Sequence, residues 1–144
     1  MTGGEAADRL VAGAVPVGAP PPLVVLRRAA LRVEHRSDMA RVARRFIDEV
    51  LGSWGDDRAA ALSLPVTELV TNAQIHARTA VEVVIVDGGV ILRVEVRDGS
   101  PHLPVIRSRE RTAGTGRGLA LVAALATRWG VEPTPTGKST WLDV

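Results

Sequence analysis

A chain of 144 residues has room for one domain with a real core, and 46% hydrophobic content is ordinary for a globular protein. The absence of cysteine excludes disulfides and thiolate metal centres, and 18 basic residues against 16 acidic ones leave a net charge of +2, too small a footprint for a dedicated nucleic-acid binder. With three Trp, one Phe and no Tyr, the interior must be filled by Val, Leu, Ala and Ile. No apolar run is long enough to span a bilayer, and the N-terminus, with Glu5 and Asp8, lacks the pattern of a signal peptide. A soluble cytoplasmic protein with no membrane contact is therefore expected.

Residues 1–22 are rich in Gly, Ala and Pro without sustained periodicity and are expected to form a flexible leader, leaving 23–144 as the folded domain. From Leu23 to Glu34, β-rich ends flank a basic middle, which fits one strand or a bent pair. Ser37 is a candidate N-cap for a helix in which Met39, Val42, Ala43, Phe46, Ile47 and Val50 recur at helical spacing up to Gly52. Asp56 or Asp57 can begin a second helix. Pro65 falls inside it, predicting a kink or a fresh start near Ser63.

The stretch Glu68-Leu69-Val70-Thr71-Asn72-Ala73-Gln74-Ile75-His76-Ala77 is the most informative in the chain. On a helix Glu68, Asn72 and His76 form one stripe at i, i+4 and i+8, beside the apolar arc of Leu62, Val66, Leu69, Val70, Ala73 and Ala77. A carboxylate, an amide and an imidazole are thus held at the border of a core and need partners. Neighbouring backbone is one source. A ligand is the other: an Asn oxygen can hold a hard cation such as magnesium, and a carboxylate one turn away can take a proton from an attacking hydroxyl.

Ala80 to Asp87 and Val90 to Arg97 alternate strictly and read as an antiparallel hairpin closed by Asp87-Gly88-Gly89. Asp98-Gly99-Ser100-Pro101 follows as a turn at a strand end. Residues 104–118 are arginine-rich and then glycine-rich, predicting a mobile loop onto an apolar helix from Leu119 to Trp129 with Gly130 as its stop. Two short strands, Val131 to Thr134 and Ser139 to Val144, close the chain.

Gly114, Gly116 and Gly118 opening a helix can bring backbone N–H groups to an anion. No strand precedes them, which excludes a dinucleotide fingerprint. Gly137-Lys138-Ser139 imitates the end of a Walker A loop by accident, since Glu132 stands where its first glycine is required. His35, His76 and His102 are too dispersed for a metal site by spacing.

In combination and in this order, these segments resemble the GHKL (gyrase, Hsp90, histidine kinase, MutL) ATPases. The Glu68 to Ala77 run is similar to the N box, Asp98-Gly99-Ser100-Pro101 to a shortened G1 box, and Gly114-Thr115-Gly116-Arg117-Gly118-Leu119 to the G2 box. The size and the two endings, Leu121 to Gly130 and Gly137 to Trp141, are most similar to bacterial anti-sigma-factor serine kinases.

The resemblance implies an α/β, Bergerat-type two-layer sandwich, a mostly antiparallel mixed sheet covered on one face by about three helices. It implies ATP and Mg²⁺ as cofactors, Asn72 as the magnesium ligand and Glu68 as general base toward a serine of a partner protein. Asp98 would accept the adenine amino group, with His76 and Ser100 alongside, Gly114, Thr115, Gly116, Arg117, Gly118 and Leu119 would surround the phosphates, and Ser139 or Thr140 would support the base. A sigma factor and an anti-anti-sigma protein are the implied partners, and a homodimer the implied assembly. The shortened G1 box and Ile75 motivate an alternative, a nucleotide-gated or nucleotide-free binding module without kinase activity. Nucleic-acid binding through Arg27, Arg28, Arg41, Arg44 and Arg45 is disfavoured by the small net charge.

Overall fold

The computed structural model describes residues 15–104 and 117–144. Five strands, β1 (Arg27–Val33), β2 (Val81–Asp87), β3 (Leu92–Asp98), β4 (Arg128–Thr134) and β5 (Gly137–Asp143), form one sheet in the order β1-β2-β3-β5-β4 with every neighbouring pair antiparallel. Three α-helices, α1 (Met39–Trp54), α2 (Ala59–Asn72) and α3 (Arg117–Leu125), form the second layer. The architecture is the two-layer sandwich that the resemblance implied.

Period-two alternation selects the sheet face that meets the helices. Val81, Val83 and Ile85 of β2 and Leu92, Val94 and Val96 of β3 are all buried in one cluster with Val131 and Leu142. Helix α1 answers with Met39, Ala43, Ile47 and Leu51, four residues apart and hence on one face; α2 adds Leu62, Val66, Leu69 and Val70, and α3 adds Leu119 and Val122. Each fully buried aliphatic side chain contributes about 1.5–3 kcal/mol, so this seam fixes the position of α2, which packs against both other helices.

Several local expectations are corrected. Helix α1 begins after Asp38, not Ser37, and Asp38 makes no side-chain cap because its carboxylate is engaged by Arg36 and Arg41. It runs two residues beyond Gly52 to Trp54, where Gly55 takes the left-handed conformation. Helix α2 starts at Ala59 and is continuous through Pro65. The carbonyl that proline leaves without a donor belongs to Ala61, which is exposed, so water can satisfy it. The hairpin register pairs Asp87 with Leu92, so four residues, Gly88 to Ile91, form the connection and Val90 is exposed instead of belonging to a strand.

The last helix is shorter than its apolar composition suggested. It ends at Leu125, because the Thr127 N–H donates to the Asp143 carbonyl and the chain is captured by β5. Trp129 and Gly130 lie in β4. A Cβ on Gly130 would stand 2.8 Å from the Trp141 ring, so a close strand approach, not helix termination, explains this glycine.

The opposite sheet face is crossed by the segment ahead of β1. Val17 bridges Val131 in parallel, the Trp141 indole N–H donates to the Gly18 carbonyl at 3.0 Å, and the Leu26 N–H donates to Asp87 at the far end. Beneath it Arg93 and Asp143 form a buried bidentate pair at 2.6 and 2.8 Å, with the guanidinium over the Trp141 ring. Asp143 holds Arg93 above its ordinary value, favouring the charged form. No helix among the described residues is long and apolar enough to cross a membrane.

Candidate nucleotide site

Helix α2 does not continue as an α-helix to Ala77. After Asn72 it widens into a π-helical turn, Ala73–Ala77, closed by the Arg78 N–H donating to the Ala73 carbonyl at 2.9 Å, with Arg78 in the left-handed conformation. His35 donates from Nε2 to the Gln74 carbonyl at 3.0 Å and ties this turn to the residues after β1. Single π turns inside helices recur at functional sites, where they re-aim side chains.

Glu68 and Asn72 precede the wide turn and keep their one-turn spacing. Both are half-buried, and among the described residues Glu68 Oε2 and Asn72 Oδ1 are buried without a hydrogen-bond partner. Such orphan acceptors each cost about 1–3 kcal/mol, and native chains rarely keep two of them adjacent. What would satisfy them is a cation for the amide oxygen and a proton donor for the carboxylate. Among the described residues no cluster of three His, Asp or Glu could hold a metal unaided. A single protein oxygen completed by water and phosphate is, however, the way magnesium is commonly bound, so the donor set fits that ion.

Across from α2, the parity of β3 that places Val94 and Val96 in the core also turns Asp98 inward, at the end of the strand. Its Oδ1 accepts the Ser100 N–H at 2.9 Å, while Thr79 Oγ1 accepts the Gly99 N–H at 2.9 Å and anchors the turn to the start of β2. Lys138, paired with Asp98 in the β3–β5 register, donates to the same Oδ1 at 3.0 Å and to the Ser100 carbonyl at 3.2 Å. Gly137 is required beside it: a Cβ there would be 2.0 Å from the Asp98 carbonyl oxygen.

Between these two walls lies a cavity of about 270 Å³, near the lower end of the ~300–1,000 Å³ usual for small-molecule sites. Of the residues picked from the sequence, Asn72, His76, Asp98, Ser100, Leu119 and Thr140 line it. His76 is exposed and stands at the mouth. Glu68 is set one turn back from Asn72. Arg117 and Gly118 open α3, whereas Gly114, Thr115 and Gly116 lie outside the described residues.

Of the two alternatives on the last strand, Ser139 is not brought to this cavity. One residue from Thr140 on a strand, it points to the opposite sheet face, where its hydroxyl donates to Glu95 at 3.3 Å. Lys138, Leu69, Ala73, Ala77, His102, Leu103 and Pro104 also line the cavity, none of them a site residue by the sequence reading. For Lys138 a signal was available: it shares the parity of Thr140 and Leu142, a lysine on the core face of the last strand.

The model of the histidine kinase-like ATPase domain family matches residues 33–144. The chain belongs to that family. Comparison of folds finds similarity to the crystal structure of the RsbU and RsbW domains of Rv1364c from Mycobacterium tuberculosis, with a TM-score of 0.58 and 21% sequence identity. The match covers 80% of this chain and 32% of that one, so the family member described here spans about a third of that protein's length. Sequence comparison with curated proteins finds no match.

Proposed function

We propose that the chain is an ATP-binding regulatory protein that phosphorylates a serine of a partner protein, in the manner of an anti-sigma-factor kinase whose substrate is an anti-anti-sigma protein. The observation that carries this reading is the pair of orphan acceptors, Glu68 Oε2 and Asn72 Oδ1, beside a cavity whose far wall presents a buried carboxylate. Family membership supports ATP as the ligand.

Asn72 would hold magnesium through its amide oxygen; the ion, when bound, neutralises charge on the triphosphate. Asp98 would accept from the adenine amino group, with Ser100, Thr140 and His76 around the nucleoside, and the N-terminus of α3, Arg117 to Leu119, would meet the phosphates together with Gly114, Thr115 and Gly116. Glu68 takes the proton of the serine hydroxyl as its oxygen bonds to the γ-phosphorus and the bond to the β–γ bridging oxygen breaks, releasing ADP.

The test is calorimetric titration with ATP and ADP, with and without magnesium, followed by phosphotransfer to a serine-bearing anti-anti-sigma protein. Magnesium-dependent ATP binding and a phosphoserine lost in Glu68→Ala support the proposal. Failure to bind nucleotide at millimolar concentration refutes it, and binding without transfer to any partner leaves the nucleotide-gated binding module.

A further inference from the structure

Helix α2 is apolar on its outward side as well as its inward one. It buries Leu62, Val66, Leu69 and Val70 in the core, and a turn of 3.6 residues then places Ala60, Leu64, Thr67, Glu68, Thr71 and, in the π turn, Ile75 on the side away from the sheet. Leu64 is 51% exposed and Ile75 46%. Thr67 donates its hydroxyl to the Ser63 carbonyl at 2.7 Å, so even this side chain offers its methyl group outward. Glu68 is the only charged residue in the helix. A helix that is apolar all round belongs inside a protein, and its solvent arc is ordinarily where Lys, Glu and Arg stand. Leucines exposed singly need no explanation, but an apolar stripe that has the candidate base within it does.

We infer that this outward face of α2 is the docking surface for the serine-bearing segment of the partner protein, with Leu64 and Ile75 as apolar anchors on either side of Glu68. This deepens the proposed function and rests on it. The position of Glu68 identifies the occupant: a hydroxyl that gives its proton to this carboxylate has to be brought onto the same arc. Leu64 and Ile75 are the large apolar side chains exposed there among the described residues, so the segment buries most apolar surface by lying along the helix. At a rise of about 1.5 Å per residue, Leu64 lies about 6 Å and Ile75 about 10 Å from Glu68 along the axis. An extended segment covers about 3.3 Å per residue, so it meets the anchors about two residues from the serine on one side and about three on the other. The acceptor is therefore a serine flanked at those positions by apolar side chains, not by charged ones. Neither anchor lines the cavity. Acceptor recognition and nucleotide binding thus fall to different side chains of one helix and its π turn.

The experiment measures phosphotransfer from ATP with magnesium to the serine-bearing anti-anti-sigma protein. It compares the full wild-type chain with Leu64→Gln, Ile75→Gln, the double variant and, as a control at another exposed leucine, Leu125→Gln. The double variant should raise KM for the acceptor about tenfold or more, as loss of two interface anchors does, and leave kcat within about threefold. Its ATP affinity by calorimetry should be unchanged and its melting temperature within about two degrees of wild type. Leu64→Met with Ile75→Val should keep the wild-type KM, and Leu125→Gln should alter nothing. Asn in place of the acceptor's apolar residues beside the serine should raise KM as the double variant does. An unchanged KM in the double variant overturns the inference while the kinase reading stands. Loss of ATP affinity assigns the two side chains to the nucleotide site, and dimerisation in ultracentrifugation that the double variant abolishes assigns the face to a second copy; either result overturns it. Wild type that binds ATP yet phosphorylates no acceptor serine refutes the kinase reading and this docking with it.

Discussion

Asn72→Ala separates function from stability, because the two should move in opposite directions. Among the described residues Asn72 Oδ1 is buried without a partner, a cost of about 1–3 kcal/mol that truncation removes. Alanine is also the better helix former at the end of α2, by up to about 0.7 kcal/mol. Against this stands the lost packing of the amide group, leaving a net gain of about 1 kcal/mol. For a domain of this size that raises the melting temperature by roughly 3–5 °C. ATP with magnesium at a hundred times Kd should stabilise wild type by about 2.7 kcal/mol, and Asn72→Ala should lose nearly all of it. Differential scanning fluorimetry with and without nucleotide measures both quantities. A variant that melts several degrees below wild type, or that keeps the wild-type nucleotide shift, refutes the claim that this oxygen is held unsatisfied for a ligand.

Gly137→Ala should cost about 3 kcal/mol or more by denaturant unfolding, because its Cβ would lie 2.0 Å from the Asp98 carbonyl oxygen, and the displaced turn should weaken ATP binding as well. Asp87 is held below the ordinary carboxylate value first by the Gly89 N–H and then by Arg27, and Asp56 by Arg58. Both folded-state values are depressed, so their stabilisation is complete above about pH 4 and is lost as pH falls through the folded values. Melting temperature followed from pH 6 down to pH 2.5 should drop in that window, and Asp87→Asn should flatten the drop; an unchanged slope would contradict the assignment. Trp141→Phe removes the indole bond to the Gly18 carbonyl and should destabilise by about 1 kcal/mol while making the segment before β1 more susceptible to limited proteolysis.

Much of the site was legible because it depends on local periodicity. Glu68 and Asn72 are one helical turn apart whatever the rest of the chain does, and Asp98 shares the parity of Val94 and Val96 in any strand that buries them. The misses came from contacts distant in sequence. Nothing near Leu125 ends its helix; Asp143, 18 residues further on, takes the Thr127 N–H and starts a strand. The π turn after Asn72 carries no proline or glycine to announce it.

From its residues alone, then, the chain determined which side chains border the core and with which neighbours, since 3.6-residue and two-residue periods are properties of the backbone. Only the tertiary structure decided which of these polar groups acquire partners. Asp98 finds Lys138 across two paired strands, Ser139 turns away toward Glu95, and Glu68 and Asn72 are left with acceptor oxygens that nothing in the described protein satisfies. The physical reason is that burial and hydrogen bonding are settled by groups far apart in the chain, and they become neighbours only when the sheet closes against its helices.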